Sequence, residues 1–195
     1  MLRLSLLAAG FLAASASPAL AHVSAEHGSG LVSGFSHPVG GLDHVLAMVA
    51  VGILASQIGG RAIWLVPAAF LVMMVNGGLL GMYGVPLPYV ELGIVGSVVI
   101  LGAVIAIGRL LPVAVAMALV GGLAIFHGHA HGTEMPAETS GLLYALGFVA
   151  ATALLHAVGV ILPMELKKVA AKITPTVVRA AGGVIAAAGL YLFVA

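Results

Sequence analysis

The sequence predicts an all-α fold: a polytopic membrane bundle of six transmembrane helices that follows a cleaved signal peptide. Three observations predict it. Hydrophobic residues make up 62% of the 195-residue chain. Charged residues make up only 7%, against roughly 25% in an average soluble domain, which leaves too few to build a water-facing surface. The apolar residues fall into separate runs, each near the roughly 20 residues that cross a bilayer as a helix. Helices rather than barrel strands follow from that length, because backbone groups in lipid must pair within the segment.

The elements follow in order. Residues 1–21, "MLRLSLLAAGFLAASASPALA", have a basic start at Arg3, an apolar stretch, and Pro18 ahead of Ala19-Leu20-Ala21. That is the layout of a secretory signal peptide, and cleavage after Ala21 makes His22 the new N-terminus of a mature chain, 22–195. The spans then read as 38–57, 62–82, 89–107, 112–130, 140–163 and 176–194. Proline or glycine marks most of the breaks, in "GGR", "YGVPLP" and "GRLLP", while "ELKKVAAKITP" separates the last two spans. The loops are short, so neighbouring spans are expected to pack as antiparallel pairs. Small residues four apart mark close helix approach: Gly77 with Gly81, Gly93 with Ser97, Ala114 with Ala118, Gly182 with Ala186.

A secreted N-terminus places the loops after the first, third and fifth spans in the cytoplasm. Those loops hold Arg61, Arg109, Lys167, Lys168 and Lys172, with Arg179 just beyond. The positive-inside tendency independently expects the same orientation. Both termini of the mature chain then lie on the outer side of the cytoplasmic membrane. Of the acidic residues after the leader, only Glu165 falls on the inner side. The net charge of +1 gives no reason to expect nucleic acid. Without cysteine there are neither disulfides nor thiolate metal sites.

Eight histidines outnumber the six acidic residues, and most gather at the outer ends of the spans. "HPVGGLDH" opens the first span. Pro38 suits the first helical position, with His37 at the cap and His44 two turns on, roughly 10 Å deeper along a similar face. That separation favours an ion being handed from His37 to His44. Asp43, about 100° round the helix, can accept a proton from an imidazole or ligate a metal itself. Ionisable groups in a membrane segment point to a partner or an ion path.

"FHGHAHGTE" closes the fourth span, with His127, His129 and His131 alternating. Imidazole is a common ligand for zinc, copper and nickel, and His127 and His129 are the two expected to meet the first span. Further candidates are His22, whose amine and imidazole form a chelating pair after cleavage, Glu91 at the start of the third span, and His156 deep in the fifth. His27 also reads as a solvated tail residue. Asn76 and Glu91 are expected near the histidines in depth.

With these motifs in view, the chain resembles the HupE/UreJ family of small membrane proteins. The likeness rests on "HPVGGLDH", which matches a His-Pro-x-x-Gly-x-Asp-His pattern, on "PYVELG" and on "FHGHAHG". The resemblance implies a secondary permease for nickel, with cobalt as an alternative cargo, associated with hydrogenase or urease and their nickel-enzyme maturation machinery. It maps metal handling onto His37, Asp43, His44, His127 and His129, and assigns Glu91 a motif position without a stated role. It implies a transporter rather than an enzyme, with lipid and the transported Ni2+ as partners and no prosthetic group. No Gly-x4-Gly-Lys-Ser/Thr motif is present, so nothing points to an ATP site. Two other readings stay open: an intramembrane zinc hydrolase with Asp43 or Glu91 as base, and a metal-binding accessory protein that does not transport.

Overall fold

Long apolar runs become helices because only internal pairing satisfies a backbone in lipid, and the bundle is built from them. The structure is a computed structural model and describes residues 30–136 and 138–194. Residues 1–21, His22, Glu26 and His27 lie outside the described residues. The described helices are α1 (Gly30–Gly40), α2 (Leu42–Ile58), α3 (Ala62–Met82), α4 (Val90–Ile107), α5 (Val113–Thr133), α6 (Gly141–Ala170) and α7 (Thr174–Val194). Helices α3 to α7 are each long and apolar enough to cross a membrane. The chain is therefore a multi-pass membrane bundle.

The first expected span is not one straight helix. Helices α1 and α2 meet at 83° and together make the sixth crossing candidate. Helix α1 begins at Gly30, so Pro38 lies inside it rather than at its first position, and His37 is a helical residue rather than a cap. The chain breaks at Gly41, whose φ of −99° and ψ of 123° are extended. Helix α5 runs on to Thr133, which brings His131 into the helix. Helix α6 continues through Pro163 to Ala170 and takes up Lys167 and Lys168.

Helix α2 sits at the centre and touches each of the other six described helices. Its sequence explains this. Ala47, Met48, Ala50, Val51, Leu54 and Ala55 are all buried, and a helix apolar on every side is stable only when surrounded. The outer helices turn large apolar side chains such as Trp64, Leu142 and Val184 outward, as lipid contact requires.

The closest helix pairs are not sequence neighbours, contrary to the expectation from short loops. Helix α3 packs on α5, α4 on α7, and α6 on both α1 and α2. Backbone proximity selects these pairs. A Cβ on Gly77 or Gly81 would overlap the carbonyls of Ile125 or His129, so α3 and α5 run parallel in register. Gly102 meets Ala186 and Gly182 meets Ala106, so α4 and α7 are antiparallel. Gly34 lies against Tyr144, and Gly52 against His156. Glycine faces permit such approach, and packing is what drives association where lipid removes the hydrophobic force between helices.

Two of the small-residue pairs behave differently from expectation. Gly93 is covered by the Phe126 ring, and Ala114 and Ala118 face outward while Ala116, Val120 and Ala124 are buried. Ala118→Leu is thus expected to shift stability by less than about 0.5 kcal/mol. Ala124→Leu should cost about 1–3 kcal/mol by overpacking. Thermal unfolding of the two variants in detergent checks both values.

Arg179 ties the two ends of the α4–α7 pair by donating Nε–H to the Ala106 carbonyl (2.9 Å). A cavity of about 730 Å³ opens at this end, and its lining includes Lys167, Lys168 and Arg179. Three cationic side chains make it a poor place for a metal cation, and His44, His127 and His131 lie toward the opposite ends of their helices, with His37 on the helix before α2.

Candidate metal site

The site is assembled from the α1–α2 break and the end of α5. The Gly41 carbonyl accepts from Val45 N–H (3.0 Å) and so starts α2. A Cβ at Gly41 would lie 2.7 Å from Asp43 Oδ1 and 3.1 Å from His44 Nδ1. Only glycine leaves room for that carboxylate and imidazole to fold back on the turn. Asp43 Oδ1 accepts from the His44 backbone N–H (2.8 Å) and from His44 Nδ1–H (2.9 Å). A carboxylate in the first turn also complements the helix dipole. Because Asp43 takes the Nδ1 proton, His44 presents a bare Nε2, which is buried and has no hydrogen-bond partner among the described residues.

His127 and His131 are four residues apart and share one face of α5; both are fully buried. Their ring centres each lie 4.9 Å from that of His44. His37 reaches in from α1, its ring centre 4.8 Å from His131 and 6.3 Å from His44. The expected 10 Å step between His37 and His44 does not exist, because the break folds α1 back over the start of α2. His131 stacks on Phe148, ring centres 5.1 Å apart, and neither of its nitrogens has a partner among the described residues. Four imidazoles thus gather in one place. Buried polar atoms are normally paired, so these bare nitrogens suit a ligand that accepts lone pairs. Among the described residues, no group of three or more His, Asp or Glu side chains is already placed so that it could hold a metal ion.

Glu134 guards the outer rim. Its Oε2 lies 3.1 Å from His37 Nε2. The hydrogen bond from His37 holds the Glu134 carboxyl below its ordinary value, against the opposing effect of partial burial. A lowered carboxylate pKa means the pair is intact above the ordinary glutamate range and is lost as pH falls through the lowered value.

His129 stands elsewhere. Two residues along a helix is a turn of about 200°, and His129 Nε2–H donates to the Val85 carbonyl (2.8 Å), tying the α3–α4 loop to α5. The pair that meets the first span is therefore His127 and His131, not His127 and His129. Glu91 is exposed in the first turn of α4. Asn76 is exposed and donates to its own helix at Val72 (2.8 Å). Neither joins the imidazoles. His156 is buried one layer further in, edge-on to Phe70 (5.0 Å), and Phe70 in turn lies 5.7 Å from His127. A cavity of about 390 Å³ with apolar walls, including Trp64 and Leu71, opens beside His156.

Sequence reading took Ser97 only as a small packing partner of Gly93 and passed over Tyr144, Phe148 and Phe70. Ser97 is the one hydroxyl in the apolar run of α4, and that isolation was the available signal; it reads equally well as a small packing residue. The aromatic residues carry no signal of their own in so apolar a chain. One comparison separates the two histidine pairings. If the cluster holds a divalent transition metal, His131→Ala is expected to weaken its binding by at least about tenfold, the lower end of what even indirect partners contribute at metal sites. His129→Ala should leave the affinity nearly unchanged and loosen only the α3–α4 loop. Isothermal titration of the two purified variants checks this.

Comparison with known proteins agrees over nearly the whole chain. The family model described as HupE / UreJ protein matches residues 10–192. A curated relative, Protein HupE of Rhizobium leguminosarum bv. viciae, is 45% identical over 184 residues, which covers 94% of this chain and 95% of that protein. No solved structure matches.

Proposed function

The chain belongs to the HupE / UreJ protein family, and on that premise we propose that it is a secondary permease that takes up a divalent transition metal, nickel foremost, across the cytoplasmic membrane. The observation that carries this reading is the set of imidazoles formed by buried His44, His127 and His131 with partly exposed His37, whose rings meet where two helix ends converge. Neutral imidazole with nearby carboxylate binds divalent nickel, zinc or copper, while the affinity order alone would favour copper. Nickel as cargo, cobalt as the alternative, and delivery to hydrogenase or urease maturation rest on the family.

The ion arrives at His37 and Glu134, loses water, and is taken by His44, His127 and His131. Phe70 separates this group from His156, the next ligand inward. Arg61, Arg109, Lys167 and Lys168 mark the opposite end as cytoplasmic by the positive-inside tendency. The membrane potential favours inward movement of each positive charge by about 2.3 kcal/mol per 100 mV. Donors at two depths suit passage better than a single hydrolytic centre.

The test is uptake into proteoliposomes under an imposed potential, with nickel, cobalt, zinc and copper in competition. Time-dependent nickel accumulation that cobalt suppresses is the expected result. Accumulation no greater than in protein-free liposomes sinks the reading.

A further inference from the structure

Two of the clustered histidines are held in opposite protonation forms by different partners. Ser97 is fully buried on α4. Its hydroxyl hydrogen goes to the Ile94 carbonyl (2.6 Å). The same oxygen lies 2.8 Å from His127 Nε2. A serine hydroxyl has one hydrogen and two lone pairs. With that hydrogen engaged, the oxygen can only accept, so Nε2 of His127 must carry the ring proton. His127 Nδ1 is then the bare nitrogen, and it is buried with no hydrogen-bond partner among the described residues. Asp43 imposes the reverse on His44, keeping the proton on Nδ1 and leaving Nε2 bare.

We propose that Ser97 is a positioning residue that locks His127 in its Nε2–H form, so that the metal site takes Nδ1 from His127 and Nε2 from His44. The metal consequence rests on the permease reading; the tautomer does not. Serine in apolar helices commonly bonds back to its own turn without further role. Here that back-bond has a consequence, because it spends the only hydrogen that could have gone to His127. The partner of a ligating imidazole fixes its tautomer and orientation, and loss of such partners costs about 10- to 100-fold in metal affinity.

The experiment uses the full chain in nanodiscs with 15N-labelled histidine, free of metal, and then titrates nickel(II). Nitrogen chemical shifts separate a protonated from a bare imidazole nitrogen, and a His127→Asn spectrum assigns the signals. Wild type and Ser97→Thr are expected to carry the His127 proton on Nε2. Ser97→Ala and Ser97→Val should populate the Nδ1–H form and bind nickel about 10- to 100-fold more weakly. Threonine and valine have nearly the same volume, so any packing cost of the extra methyl cancels between them. Ser97→Ala adds no volume and keeps the comparison usable if both larger variants misfold. A wild-type proton on Nδ1, or wild-type tautomer and affinity in Ser97→Ala, overturns the proposal. If wild type fails to bind nickel while the tautomer follows Ser97 as stated, the permease reading falls and the role of Ser97 stands.

Discussion

Metal uptake is expected to fall to the background of protein-free vesicles when His44 is replaced by alanine, with the bundle still folded. The geometry supplies both halves of that result. Among the described residues, His44 is the one ring whose centre lies within 6.3 Å of those of His37, His127 and His131 together. Its loss therefore removes the α2 ligand that faces the α1 and α5 histidines at once, although His37 and His131 stay in contact (4.8 Å). Helix α2 nevertheless keeps its start, because Asp43 Oδ1 also accepts from the backbone N–H of residue 44 (2.8 Å), which alanine retains. Nickel affinity should drop by at least about tenfold, in line with what supporting residues alone contribute at metal sites. Circular dichroism and the thermal midpoint should stay close to wild type. Uptake equal to wild type from a folded His44→Ala protein contradicts the site.

The second large effect concerns the frame that brings the histidines together. A Cβ at Gly128 would run into the Met74 carbonyl and lie 2.8 Å from the Gly78 nitrogen. Both obstacles are backbone in α3, so no side chain can swing aside. Helices α3 and α5 would have to separate, and α5 carries His127 and His131. Gly128→Ala is expected to cost about 3 kcal/mol, the upper part of the overpacking range. Gly128→Leu should fail to yield a monodisperse folded protein. Gly122 on the same helix meets nothing within 4 Å, so Gly122→Ala should change stability by less than about 0.5 kcal/mol. Size-exclusion profiles and thermal midpoints in one detergent measure all three. A stable Gly128→Leu protein would mean the α3–α5 contact is looser than the backbone positions require.

The histidine motif shows where reading from sequence stops. "HPVGGLDH" announces polar chemistry at the mouth of the first span, and its residues do reach the cluster. The expectation of one helix starting at Pro38 fails because α1 begins eight residues earlier and ends at Gly40. Proline near a helix end and glycine after it suit a stop as well as a start, and the chain uses them as a stop. What tips the balance is packing at a distance: Gly34 against Tyr144 and Gly147 against Leu31 bind α1 to α6. In "FHGHAHG", the alternation gives no hint of which histidines pair. A helical phase puts His127 and His131 together, and α3 lies against α5 as far as Thr133, where that phase ends.

By itself the sequence determined that the chain is a bundle of membrane helices, roughly where most of them begin and end, which end is basic and which is rich in histidine. Those properties are local: run length, the turn chemistry of proline and glycine, and the placing of charge outside lipid. The tertiary structure alone decided the helix partners, the 83° break, the choice of His131 over His129, and the place of Ser97 beside His127. The physical reason is that these helices are apolar nearly all round, so no stripe on the sequence tells inward from outward. Partner choice then depends on where two backbones can touch, and that is a property of segments such as α3 and α5 that are distant in the chain.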